Sequence, residues 1–276
     1  MRMVRALVAS SHPEPAVAVT AVVVALSAGV GRDVPGLFAA GSAVLAGQLS
    51  VGWANDYVDR DRDAATGRTD KPVATGAVSP RAVRAAALVA VAACVPLSLL
   101  SGLVAGLLHL VAVAFAWAYN LGLKSTPVSV LPYAVAFGIA PAFAVTGLPS
   151  HPAPPVWLVA TGSLLGSGAH FANTLPDLAG DAATGVRGLP HRLGRTGSAV
   201  AAGVLLLAAS CVLAFAPPGH PRALDLVGFV LAGTVLAAGL WAGLSRPDSR
   251  WAFRSVLVAA GVDVVLLLAA GGVAVG

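Results

Sequence analysis

Long stretches without a single charged residue alternate with short polar clusters along this chain. Residues 85–123, 125–176 and 197–221 contain no Asp, Glu, Lys or Arg. A membrane-spanning helix needs about 20 mostly apolar residues, so each stretch has room for at least one. Cut at Pro, Gly and charged clusters, the pattern predicts about nine transmembrane helices: 15–31, 34–56, 82–100, 103–121, 128–147, 155–176, 198–216, 223–244 and 252–274. Backbone facing lipid must satisfy its own hydrogen bonds, and the runs lack the short alternating segments of a barrel. The expected fold is an all-α integral membrane protein, one domain over residues 1–276. The first apolar run follows Pro13 and Pro15 without a cleavage site, so no signal peptide is expected.

Composition strengthens this reading. The chain is 57% hydrophobic and 11% charged, where soluble domains carry about a quarter charged residues. Placing the N-terminus in the cytoplasm puts fifteen of the seventeen Lys and Arg on that side, and leaves only Arg32 and Arg222 outside. That bias sets the orientation. It also assigns the net charge of +5 to an anionic membrane face rather than to nucleic acid. Cys94 and Cys211 both fall inside expected helices. With no CxxC and no Cys/His cluster, neither zinc nor a disulfide is expected.

One polar sequence occurs twice. Asn55-x3-Asp59-x3-Asp63-Ala-Ala-Thr-Gly67-x4-Pro72-x3-Gly76 returns as Asn173-x3-Asp177-x3-Asp181-Ala-Ala-Thr-Gly185-x4-Pro190-x3-Gly194, so the repeat spans 55–76 and 173–194. The two copies hold seven of the twelve acidic residues. Asp56, Asp59 and Asp63 share one helical face by spacing, and so would Asn173, Asp177 and Asp181. Carboxylates stacked this closely repel unless a cation neutralises them. Mg2+ is typically held by one or two carboxylates together with substrate phosphates. Two such faces would make a clamp for a diphosphate and its metal ions. An EF-hand reading of Asp59-Arg-Asp61-Arg-Asp63 fails, because Ala64 stands where that loop needs Gly and Asp70 where it needs Glu.

Basic residues flank the acids: Arg60, Arg62, Arg68 and Lys71 in the first copy, Arg187, Arg192 and Arg195 in the second. Lys124 is the sole charge between residues 85 and 176. It is expected at a cytoplasmic helix end, either neutralising a leaving phosphate or anchoring at the interface. His170 lies one turn before Asn173. Asp263 is the one deep carboxylate, either functional or a polar contact between helices.

Asn55-Asp56-x2-Asp59-x3-Asp63 with Arg68-x2-Lys71-Pro72 resembles the first signature of the UbiA superfamily of intramembrane prenyltransferases. Asp177-x2-Gly180-Asp181-x3-Gly185 is similar to its second, and Tyr119 to Thr126 to its Tyr/Lys element. Lys71 stands where many members carry Arg. The resemblance implies helices around a central, laterally open cavity in the cell membrane, with the diphosphate head under a cytoplasmic cap and the active site facing the cytoplasm. It implies Mg2+, with Mn2+ as an alternative ion, bridging an isoprenyl diphosphate to Asp56, Asp59, Asp63, Asp177 and Asp181. Asn55, Arg68, Lys71, Tyr119, Asn173 and Arg187 would bind substrate, and Lys124 would assist the leaving group. Ionisation would leave a carbocation for a hydrophobic or aromatic acceptor to trap. Two alternatives stand beside this: a terpene cyclase that needs no acceptor, and a cation or phosphate transporter, whose carboxylates usually sit at mid-membrane.

Overall fold

A computed structural model describes residues 2–245 and 251–270. Among these residues all regular structure is helical. The helices are α1 (Arg2–Ala9), α2 (Pro13–Gly29), α3 (Val34–Ala65), α4 (Pro80–Leu99), α5 (Leu103–Leu121), α6 (Leu131–Thr146), α7 (Val156–Thr174), α8 (Leu178–Ala183), α9 (Leu189–Phe215), α10 (Ala223–Ser245) and α11 (Trp251–Ala270), with a 3-10 turn at Leu123–Ser125. Each of the nine expected spans falls on one of these helices, although 271–274 lie outside the described residues. The short α1 and α8 were not expected. By length and composition α3, α4, α5 and α9 can each cross a membrane, and α1 with α2, bent by 57°, forms a fifth candidate.

Helix starts follow local chemistry. Asp33 caps α3 by accepting from the Gly36 N–H at 2.9 Å, and Ser79 caps α4 by accepting from Ala82 at 3.2 Å. Pro35 and Pro80 stand in the first turns, where no N–H is needed. α3 runs to Ala65, nine residues beyond its expected end, because the polar residues after Asp56 continue the helix out of the apolar stretch.

Packing runs in a circuit. α2 meets α3, α5 meets α6, α6 meets α7, α7 meets α9, and α11 closes on α9, α7 and α2. One apolar core fills the α7, α9, α10 and α11 side, and a second fills the space between α2, α3, α5 and α6. Arg32, between α2 and α3, is only 6% exposed. Its guanidinium donates to the Ala144 carbonyl at 2.9 Å, to the Phe143 carbonyl, and to Ser101 Oγ at 3.2 Å. Burial lowers its pKa to about 10, and the carbonyl end of α6 supplies the compensating negative potential. The expected outer-face charge is thus an internal tie between helix ends. Asp263 is fully buried on α11 and accepts from Ser210 Oγ on α9, which makes it an interhelical contact away from the polar cavity.

Candidate active site

The repeat folds first as a pair of helix stops. In each copy Ala-Ala-Thr-Gly ends an acidic helix, and the glycine takes the left-handed conformation, φ 68° at Gly67 and 85° at Gly185. The following N–H bonds back to the acidic residue's carbonyl: Arg68 to Asp63 at 3.0 Å, and Val186 to Asp181 at 2.9 Å. These are the wrapping bonds of a glycine-terminated helix. Much of the sequence identity between the copies therefore encodes where the helix stops and turns.

The two copies differ in what precedes the stop. Asp56, Asp59 and Asp63 lie along one buried face of α3, at 1%, 6% and 5% exposure. The second copy does not form one continuous face. α7 ends at Thr174, Asp177 stands in a turn, and α8 carries Asp181. Pro176 is the cause, since it has no N–H and crowds the preceding turn.

The polar cavity holds about 420 Å3. Asn55, Asp59 and Asp63 line it from α3, and Asn173, Asp177 and Asp181 from the second copy. Arg68, Lys71, Tyr119 and Lys124 line it too. Arg187 is exposed and lies outside this lining. Asp56 sits just behind it. Its Oδ1 accepts from Lys71 Nζ at 2.8 Å and lies 3.1 Å from His12 Nε2, while its Oδ2 is buried without a hydrogen-bond partner among the described residues. Asp59 accepts from Lys124 and from Asn55 at 3.1 Å, and forms an ion pair with Arg62 at 2.8 Å. Asn55 also donates to Asn120 Oδ1 at 3.2 Å, which ties α3 to α5. Tyr119, Tyr133 and His170 form the deep aromatic wall, with ring centroids 5.0–5.8 Å apart.

Electrostatics follow from this enclosure. Burial lowers the Lys124 pKa, with Asp59 opposing. Burial raises Asp181, against the pull of Arg62 and His191. At the rim, Arg68 holds the Asp70 carboxyl down at about 2.

His12, Asn120, Tyr133 and His191 are site residues without a sequence signal of their own. His12 reaches the cavity because the α1–α2 elbow crosses α3 at Gly52, where any side chain would overlap the Ser11 carbonyl. His191 lies 3.6 Å from Asp181 Oδ2, and neither ring nitrogen has a hydrogen-bond partner among the described residues.

The donor set suits a divalent cation held jointly with a ligand. Asp63 and Asp177 carry no ion pair or side-chain hydrogen bond among the described residues. No three His, Cys, Asp or Glu side chains among those residues converge on one point. An ion here would be held by one or two carboxylates and complete its shell with phosphate oxygens and water, as Mg2+ usually does.

The UbiA prenyltransferase family model matches residues 16–270. A digeranylgeranylglyceryl phosphate synthase of Methanopyrus kandleri is 30% identical over 228 residues, 78% of this chain and 82% of its own. Among solved structures, one from work on digeranylgeranylglyceryl phosphate synthase superposes with a TM-score of 0.73 at 15% identity, covering 99% of each chain. A UbiA homologue from Archaeoglobus fulgidus, bound to GPP and Mg2+, gives 0.71 at 16% identity, over 96% of this chain and 98% of its own. Matched along nearly its whole length, this chain belongs to the UbiA prenyltransferase family and is a multi-pass membrane prenyltransferase.

Proposed function

We propose that this prenyltransferase is Mg2+-dependent, ionises an isoprenyl diphosphate inside the polar cavity and passes the prenyl group to an acceptor. The active site faces the cytoplasm, following the excess of Lys and Arg on that side. The observation that carries the reading is the convergence of both acidic copies, with Lys124 between them, on one cavity above an aromatic wall. The solved homologue with GPP and Mg2+ supports the same pairing of ligand and ion.

A bound Mg2+ would draw negative charge from the diphosphate as its carbon–oxygen bond breaks. One or two of Asp59, Asp63, Asp177 and Asp181 would hold each such ion, the diphosphate and water completing its shell. Lys71 and Arg68 bind phosphate oxygens at the rim. Lys124 stands at the inner side, where it neutralises charge developing on the bridging oxygen. Tyr119 and Tyr133 exclude water from the allylic cation and present π faces to it. A nucleophile from the acceptor then forms the new bond at C1, and its proton leaves to solvent through the open mouth. The name of the curated relative points to a glyceryl phosphate acceptor, and an aromatic acceptor is the other class to test.

The test uses protein in liposomes with Mg2+ and prenyl diphosphates, offered glyceryl phosphate ethers, aromatic acids or no acceptor. Diphosphate release and product mass are read together. Acceptor-dependent prenylated product supports the proposal. A hydrocarbon formed without acceptor would favour cyclisation, and full turnover in EDTA would remove the metal from the mechanism.

A further inference from the structure

The short helix α1 lies beside the polar cavity, since its last residue, Ala9, and His12 in the elbow beyond it both line that space. Ala6 and Leu7 seat α1 against Trp53 and Tyr57 of α3 and against Ala82 and Val83 of α4. The Trp53 indole N–H donates to the Leu7 carbonyl at 2.8 Å. Trp and Tyr gather at the headgroup level of membrane proteins, which sets α1 at that level. The 57° bend turns it away from the direction of α2.

The outward side of α1 is divided. At about 100° per residue, Val4 and Val8 share one flank, Arg5 borders it, and Ala6 and Leu7 turn toward the protein. Val4, Val8 and Arg5 are all exposed. Arg81 and Arg84, also exposed, flank the two α4 residues on which α1 packs. Among the described residues, Arg5, Arg81 and Arg84 carry no ion pair or side-chain hydrogen bond. A helix of this kind lies in the plane of the interface, its apolar flank in the acyl boundary and its arginines among the headgroups. With no carboxylate of the protein paired to these three cations, the surface fits anionic lipid.

The seat of α1 reaches the cavity through the elbow. Ser10 and Ser11 are buried, and the Ser11 carbonyl rests on α3 at Gly52. His12 follows with a left-handed φ of 53°, which a residue other than glycine keeps only where its surroundings compel it. Its Nε2 then lies 3.1 Å from Asp56 Oδ1 and 3.0 Å from Lys71 Nζ.

We propose that α1, with Arg81 and Arg84, is a docking surface for anionic phospholipid of the leaflet at the cavity mouth, and that the docked helix holds Ala9 and His12 in the cavity wall. The lipid contact stands on α1 and α4 alone, and its effect on the cavity rests on the diphosphate reading above.

The full chain is placed in nanodiscs of phosphatidylcholine, with or without phosphatidylglycerol. Hydrogen exchange of the α1 amides is followed, and inorganic diphosphate with Mg2+ is titrated by calorimetry. Exchange of α1 should slow at least about fivefold in the anionic discs, the contribution of one basic residue at such a surface. Diphosphate should bind at least twofold more tightly there. High salt should erase the difference in exchange, because exposed charges are screened. Arg5→Gln, Arg81→Gln and Arg84→Gln combined should give the neutral-disc values in both discs, with unchanged protection of α3 as the sign of a folded variant. Glycerol 3-phosphate added to neutral discs should leave α1 exchange as it was; protection by it would make this a phosphate site and overturn the lipid surface. Equal exchange of wild-type α1 in the two discs, or a difference that survives in the triple variant, also overturns the surface. Slowed exchange without tighter diphosphate binding overturns the link to the cavity. Failure to bind diphosphate in either disc overturns the diphosphate reading, while exchange still decides the lipid surface.

Discussion

Lys124, in the turn after α5, donates to one oxygen of Asp59 on α3, while Arg62 holds the other oxygen at 2.8 Å. Two cations thus share one buried carboxylate that is also a proposed metal ligand. On the proposed reading Asp59 would help hold a bound ion, and Lys124 would neutralise charge on the leaving phosphate. Lys124→Met should therefore lower turnover more than it raises the apparent KM, because the ammonium meets its full partner charge only as the bond breaks. The expected loss in kcat is on the order of tenfold to a thousandfold, that of one electrostatic stabiliser. A wild-type kcat would reduce Lys124 to an interface anchor.

Asp59→Ala and Asp177→Ala should each abolish turnover in folded, membrane-inserted protein. Asp56→Ala should do so as well, by leaving Lys71 and His12 without the carboxylate that holds them. Product formation is assayed beside size-exclusion profiles. Full activity in any two of the three would dismantle the clamp.

Asp61→Ala should keep near-wild-type activity. Its side chain is 83% exposed and pairs with Arg60, whereas the Asp59 side chain, two residues away, is 8% exposed. Equal damage from Asp61→Ala and Asp59→Ala would contradict the helical face on α3.

Gly52→Ala should destabilise by roughly 1–3 kcal/mol, the usual cost of overpacking. The new methyl would collide with the Ser11 backbone and push His12 away from Asp56. Thermal unfolding in detergent reads the loss, and an unchanged midpoint would mean the elbow is loosely seated.

Arg32→Met should cost roughly 1–3 kcal/mol for stranding a buried acceptor, with kcat retained below the unfolding transition. The Ala144 carbonyl is the group that bears that cost, since the Phe143 carbonyl keeps the Gly147 N–H at 3.3 Å. Loss of activity without loss of stability would give Arg32 a role it does not have here.

The helices were legible because lipid leaves few options, so a charge-free run of helical length nearly dictates its structure. Asp56, Asp59 and Asp63 were legible as one face because α3 is continuous through them. The second copy was not, although Pro176 stood in plain sight; the match in spacing outweighed a residue that interrupts helices. Arg32 was read from the count of outer charges, and its burial depends on the ends of α4 and α6 meeting, which no local pattern encodes. His12 and His191 belong to the cavity only through the Gly52 crossing and the packing of α9. Arg187 shares its motif with cavity residues, yet it points elsewhere, since charge near a motif says nothing about direction.

The 32 residues of α3 measure about 48 Å, against a hydrocarbon layer of about 30 Å. Its polar end therefore stands in the headgroup layer or beyond while its apolar end stays in lipid. On the proposed reading, each turnover produces one salt-like molecule and one oil-like molecule, and they leave by different routes. The diphosphate departs into water past Arg68 and Lys71, and the prenylated product slips sideways into the bilayer. Such an enzyme feels two concentrations that never mix. On that reading its rate responds to the composition of the membrane as directly as to that of the aqueous phase.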